Sequence, residues 1–137
     1  MMRVTSVTIA APAPRELAAF YSRLLGLPVT SFEGPRPGFP AEDGWAQIRP
    51  GAGQAGPTLN FEYEAGYVPP VWPSVVGQQQ LQTHIDIAVD DLAAAVEWAQ
   101  RSGAKAADFQ LQDDVRVMLD PVGHPFCLFL SQRESAE

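Results

Sequence analysis

The chain is short of several things. It has one cysteine, Cys127, and two histidines, His84 and His124. A single thiol closes no internal disulfide, so the expected compartment is the reducing cytoplasm and the expected glue an ordinary core. Lys and Arg number 9 against 16 Asp and Glu, a net charge of −7. Phosphate backbones demand clustered Lys and Arg, so nucleic acid is excluded as a partner. No apolar run approaches the roughly 20 residues of a membrane helix, which removes a membrane role. The opening MMRVTSVTIAAPAP lacks a sustained apolar core, so no signal peptide is expected. At 46% apolar and 18% charged, the 137 residues can fold as one structural domain.

Breakers, by contrast, are abundant and uneven. Residues 28–77 hold nine of the 13 Pro and eight of the 11 Gly. Residues 78–137 hold two of each. The regular segments are read around them. RVTSVTIA (3–10) is β-branched and reads as a strand. In RELAAFYSRLLG, Leu17, Phe20, Tyr21, Leu24 and Leu25 recur at i, i+3, i+4, i+7 and i+8. That is one helical face, begun near Pro14 and capped by Gly26. Strands are expected at 28–33, 45–50 and 58–64, with GPRPGFPAEDG (34–44) a loop.

A second pass of the same pattern follows. LQTHIDIAV (81–89) reads as a strand with Ile85, Ile87 and Val89 on one face and His84, Asp86 and Ala88 on the other. Asp90 and Asp91 are candidate N-caps of a helix whose apolar stripe is Leu92, Ala95, Val96 and Ala99, closed by Gly103. Residues 104–112, 115–120 and 125–131 read as three more strands, the last two joined by the turn PVGH. The pattern is βαβββ twice, with Ser6-Val-Thr-Ile-Ala echoed by His84-Ile-Asp-Ile-Ala. The expected organisation is α+β: a first module at 1–66, a crossover at 67–80, a second module at 81–131 and a polar tail at 132–137. Each helix covers one face of its strands and leaves the other face open.

Two stretches, PRELAAFYSRLLGLPV and THIDIAVDDLAAAVEWAQRSGA followed by VRVMLDPVGHPFCL, resemble the vicinal oxygen chelate superfamily. That group includes glyoxalase I, bleomycin-resistance proteins and extradiol dioxygenases. The nearest subgroup is the glyoxalase-like domain proteins. The resemblance implies two modules forming a half-open barrel with a concave cleft. It also implies a divalent metal held, when present, by one residue from the first and last strand of each module. Carried over position by position, those are Ser6, Glu62, His84 and Cys127. Alternation alone puts all four on the face away from the helices. The family's usual set is His or Gln, Glu, His, Glu. Only Glu62 and His84 keep it here, since Ser is a poor ligand and Cys turns preference toward soft ions.

Two readings stay open. One is a protein that binds a small aromatic or cationic molecule without the full metal site. The other is a metal-dependent lyase, isomerase or dioxygenase acting on a vicinal-oxygen substrate, with Zn, Ni, Mn or Fe on Glu62 and His84. A third, blander reading turns the cleft into partner surface; the resemblance implies a homodimer. Candidate ligand-binding residues are Trp45, Gln47, Glu62, Tyr67, Trp72, His84, Asp86 and Cys127. Phe39, Trp45, Tyr67 and Trp72 are aromatics in or beside the breaker-rich loops, where exposed rings suggest a contact surface. Trp45 and Gln47 share one strand face with Arg49 beyond. Asp86 stands where it could orient the His84 ring. Cys127 reads as a small core residue more than a nucleophile. Glu62, if buried, needs a partner. Phe20, Tyr21, Phe61, Trp98 and Phe126 read as packing residues. Specificity is expected within 34–75, with the second module as the regular scaffold.

Overall fold

A computed structural model describes residues 1–131. The predicted polar tail, 132–137, lies outside the described residues. The chain forms two compact units, one spanning Met1–Tyr67 and the other starting at Val68. No described helix is long and apolar enough to cross a membrane.

In the first unit, β1 (Ser6–Ala11) leads into α1 (Pro14–Leu25), then β2 (Ser31–Glu33), β3 (Trp45–Ile48) and β4 (Thr58–Tyr63). The sheet order is β1-β4-β3-β2, with β1 parallel to β4 and the other pairs antiparallel. Pro14 occupies the first turn of α1 and Gly26 takes the left-handed conformation at its end, φ 66°. The helix presents Leu17, Phe20 and Tyr21 to the sheet, all at most 2% exposed. Tyr21 stacks on Phe61 at 5.5 Å between ring centroids. Phe61, Leu59, Ala46 and Ile48 complete that buried face.

The second unit repeats the plan with β5 (Asp86–Val89), α2 (Leu92–Ser102), β6 (Lys105–Ala106), β7 (Val115–Leu119) and β8 (Pro125–Leu130). The order β5-β8-β7-β6 is again parallel at its first pair. Asp91 is the N-cap, its carboxylate accepting from the Ala94 amide at 3.0 Å. Phe126, Leu128, Met118 and Ala99 form its core. Asp120 builds the last turn: one carboxylate oxygen accepts from the Val122 and His124 amides, and the other meets His124 Nδ1 at 2.7 Å.

Three expectations change. The strand expected over 81–89 starts only at Asp86: the Cys127 amide bonds the Ile85 carbonyl, and Pro125, next in that pattern on β8, has no N–H to carry the ladder further. The strand expected over 104–112 shrinks to Lys105–Ala106. Beyond it the Gln110 side chain takes the place of backbone, donating to the Ala107 and Val117 carbonyls and accepting from the Val117 amide. Trp98 is not a core residue. It falls outside the 92, 95, 96, 99 stripe, is 46% exposed, and has the Arg101 guanidinium 5.5 Å from its ring.

Candidate functional site

Each sheet has one face under its helix and one free face, and the ladders state which residues share the latter. On the first sheet the free face is crossed by rows. One row runs Glu33, Trp45, Glu62, Ala10 across β2, β3, β4 and β1. The next runs Ser31, Gln47, Asn60, Thr8. Trp45 is half-buried and lies directly between two exposed carboxylates. Residues opposite each other in a ladder hold their Cβ atoms roughly 5 Å apart, so an acidic side chain leaves the sheet on each side of Trp45. The exposed Ala10 leaves the end of the row without bulk. In the second row, Gln47 Nε2 donates to Asn60 Oδ1 at 3.0 Å, and Gln47 Oε1 accepts from Arg49 Nε at 3.2 Å. Trp45, Gln47 and Glu62 therefore do come together.

The 34–44 loop joins the two strands that carry this row. It is ordered from within. Asp43, fully buried, accepts from Arg36 through the backbone N at 2.8 Å, Nε at 3.0 Å and the terminal nitrogen at 2.8 Å. The Arg36 guanidinium also lies 3.8 Å from the centroid of the exposed Phe39 ring. Arg15 on α1 reaches the same loop through the carbonyls of Ala41 and Asp43, at 2.6 and 3.2 Å. Alternation and breaker counting mark this stretch as loop but say nothing of the lock. The one available signal is an Arg and an Asp within a short Pro/Gly-rich stretch.

On the second sheet the free face carries a different chemistry. Asp86 pairs with Cys127 in the parallel ladder, and His84 precedes Asp86 by two residues. His84 Nε2 meets Asp86 Oδ1 at 3.1 Å, both side chains well exposed at 42% and 58%. A contact that open contributes little to stability. The ligating atoms of His84, Asp86 and Cys127 all lie within 4.8 Å of one another. Burial pushes the Cys127 thiol pKa up, and the charge and hydrogen bonding of Asp86 push the same way. A raised pKa disfavours the thiolate and makes Cys127 a weak nucleophile; the residue is half-buried on the free face, outside the core.

The two modules can be compared position by position. Thr8 pairs with Asn60 in β1 and β4 as Asp86 pairs with Cys127 in β5 and β8. Ser6 stands two residues before Thr8, as His84 stands before Asp86. The first-module counterpart of Cys127 is therefore Asn60, and Glu62 lies one alternation further on. Ser6 and Glu62 are out of each other's reach. Their ladder partners are Thr58 and Ala10, so they stand four residues apart along the strands, roughly 13 Å at 3.3 Å per residue. No ion with metal–oxygen bonds near 2 Å can use both. Glu62 is also exposed, so it needs no buried partner. The residues do not fit the superfamily's hard divalent metal. At the four positions where the resemblance calls for His or Gln, Glu, His and Glu, this chain has Ser6, Asn60, His84 and Cys127.

Tyr67 and Trp72 are half-buried and lie beyond β4, outside the Trp45 row. The Trp72 indole nitrogen is shut off from solvent with no hydrogen-bond acceptor among the described residues. An open hollow of about 680 Å³ lies on the crossover, lined by Ser74–Gln80 and Gln82. It holds no ionisable group and lies apart in sequence from both free faces.

The model of a glyoxalase-like domain matches residues 6–129. No curated protein sequence matches the chain. Among solved structures, a glyoxalase family protein from Enterococcus faecalis is 20% identical, with a TM-score of 0.64 over 93% of this chain and 96% of that one. The trypanothione-dependent glyoxalase I of Leishmania major is 18% identical, with a TM-score of 0.63 over 95% of this chain and 87% of that one. A glyoxalase/bleomycin resistance protein/dioxygenase family enzyme from Burkholderia phytofirmans is 14% identical, with a TM-score of 0.58 over 90% and 94%. At such identities the neighbours speak for the fold, and the family model for the lineage: with its two βαβββ modules, the chain belongs to the glyoxalase-like domain family of the vicinal oxygen chelate superfamily.

Proposed function

We propose that this chain binds a small aromatic cation on the free face of its first sheet, without the superfamily's metal. The row Glu33–Trp45–Glu62 carries the reading. An indole attracts a cation through its ring quadrupole, and two flanking carboxylates add a charge-selective rim. Gln47 and Asn60 in the next row offer amide groups to orient a polar substituent. The locked 34–44 loop holds Glu33 and Trp45 at its two ends, so the row is preorganised and less ordering entropy is lost on binding. The chain's net charge of −7 favours the approach of cations. Metal-dependent chemistry on Glu62 and His84 draws no comparable support, because Glu62 stands off Asn60, the first-module counterpart of Cys127.

The test is a fluorescence titration with a panel of quaternary aromatic cations such as N-methylquinolinium, beside anionic aromatics such as naphthoate. Saturable quenching by cations is expected and none by the anions. Trp45→Phe should abolish the change, and Glu33→Gln with Glu62→Gln should weaken binding and its salt dependence. Quenching that is equal for anions, or that survives Trp45→Phe, overturns the reading. So does a panel in which no cation saturates.

A further inference from the structure

We propose that Arg49 sets the direction of the amide pair beside the Trp45 row, so that the site selects an aromatic cation bearing a neutral hydrogen-bond acceptor, such as a ketone, over one bearing a donor. This rests on the aromatic-cation reading above and names the second chemical feature of its ligand. Arg49 is a positioning residue here, acting through Gln47 and Asn60.

The direction starts at the guanidinium, which has N–H donors and no acceptor. Arg49 Nε donates to Gln47 Oε1 at 3.2 Å, so Gln47 gives its oxygen to Arg49 and turns its nitrogen across the sheet. Gln47 Nε2 donates in turn to Asn60 Oδ1 at 3.0 Å. With Oδ1 facing Gln47, the end of Asn60 turned away from it is the nitrogen. Asn60 Nδ2 has no acceptor among the described residues. A side-chain amide on its own can present either end by rotating half a turn. Here each amide takes its orientation from the group before it, and the first group cannot be reversed. Gln47 and Asn60 are both half-buried, where hydrogen bonds are electrostatically stronger than in open water.

The rest of the row imposes no competing direction. Thr8 and Ser31, at its two ends, are exposed hydroxyls that rotate to donate or accept. Trp45 pairs with Glu62 and Gln47 with Asn60, so Asn60 is the diagonal neighbour of Trp45. Diagonal neighbours in a ladder stand roughly 7–8 Å apart. A bicyclic ligand can therefore lay its charged ring on Trp45 and set a substituent against Asn60 Nδ2. An acceptor placed there gains a bond. A donor placed there meets N–H groups and gains none. An anionic acceptor would stand close to Glu33 and Glu62 in the adjacent row, so the acceptor that fits is neutral.

Calorimetry on the full-length protein compares three cations of equal charge: 1-methylquinolinium and its 6-acetyl and 6-amino derivatives. The quantity read is the ratio of acetyl to amino affinity within each variant, which cancels any change in the protein's net charge. Arg49→Met imposes no direction and gives the baseline set by the rings' own electronics. The wild-type ratio should exceed that baseline by about five- to tenfold. Arg49→Lys, which also only donates, should stay above it. Arg49→Glu, which only accepts, should fall below it, because it draws Gln47 Nε2 and so turns Asn60 to present its oxygen. Arg49 is exposed, and melting curves check that the variants fold. The wild type against Arg49→Met decides the matter should Arg49→Glu not fold. A ratio that is the same in the wild type and Arg49→Met, or one that Arg49→Glu leaves above the baseline, overturns the relay. Saturable binding of unsubstituted 1-methylquinolinium in those same samples leaves the cation row standing. If that ion does not bind, the row and the relay are both overturned.

Discussion

Asp43 and Arg36 close the 34–44 loop through three hydrogen bonds, two of them from the guanidinium to the two carboxylate oxygens. The guanidinium is itself mostly exposed, at 61%, while the carboxylate is buried at 1%. The pair therefore satisfies a buried acid from outside and converts a breaker-rich stretch into a fixed shape. That shape matters because β2 ends at Glu33 and β3 begins at Trp45. The lock sits between two members of the proposed binding row.

Breaking the lock should loosen the loop without touching the row. Asp43→Ala leaves Arg36 without its acceptors, and Arg36→Lys keeps the charge while losing the forked geometry. Both variants should be cut faster within 34–44 by proteinase K. Both should also bind aromatic cations more weakly, with Glu33, Trp45 and Glu62 all still present. Unchanged cleavage in both would show that the loop is held by other contacts.

The same pair makes an acid signature. Hydrogen bonding from Arg36, opposed by burial, holds the Asp43 carboxyl at about 2. In the unfolded chain an aspartate titrates near 4. The native state thus binds fewer protons than the unfolded state between those values. The stabilisation is fully present above about pH 4 and is lost as pH falls toward about 2. The melting-temperature difference between the wild type and Asp43→Asn should be flat above about pH 5 and shrink across that window. A difference that stays constant down to about pH 2 would remove the pair from the stability of the fold.

Gly44 carries a backbone requirement at the end of the loop. Its φ is +143°, and a Cβ there would collide with the Glu33 carbonyl oxygen and stand 3.1 Å from Arg15 Nε. Gly44→Ala should destabilise by about 1–3 kcal/mol through strain and clash together. Gly34, at the loop's other end, has nothing within 4 Å of a built Cβ and no positive φ. Gly34→Ala should be neutral or slightly stabilising. Chemical denaturation of the two variants side by side checks the contrast, and equal effects would refute it.

Periodicity found faces far better than it found neighbours. The stripe of Leu17, Phe20 and Tyr21 located α1 and its buried side, because a helix reports its own packing within a few residues. Strand alternation likewise put Ser6, Glu62, His84 and Cys127 on free faces. A period of two states the face and not the register, so Asn60 and Glu62 were indistinguishable by that rule. Only the pairing of Thr8 with Asn60 identifies the counterpart of Cys127. Alternation gives no sign of Glu33 for the same reason: its pairing with Trp45 is a ladder contact between strands separated by the loop. The strand expected from 81 starts late because Pro125 on β8 has no amide to carry the ladder past Ile85, which alternation in 81–89 does not show.

Gln110 tests how far a side chain can stand in for a strand. Its amide nitrogen donates to the Ala107 and Val117 carbonyls, each at 2.9 Å, and its oxygen accepts from the Val117 amide at 2.8 Å. Those are bonds that a longer β6 would have made with backbone, and they hold the segment carrying the exposed Phe109 and Leu111 against β7. Gln110→Ala leaves the Val117 amide and carbonyl without these partners, at a cost of about 1–3 kcal/mol. Gln110→Glu should be worse than alanine, because it keeps one acceptor but sets a negative charge against two carbonyl oxygens. Hydrogen exchange at the Val117 amide should accelerate in both variants, more than at Met118. Equal protection of Val117 in the wild type and both variants would mean that β7 is held without Gln110.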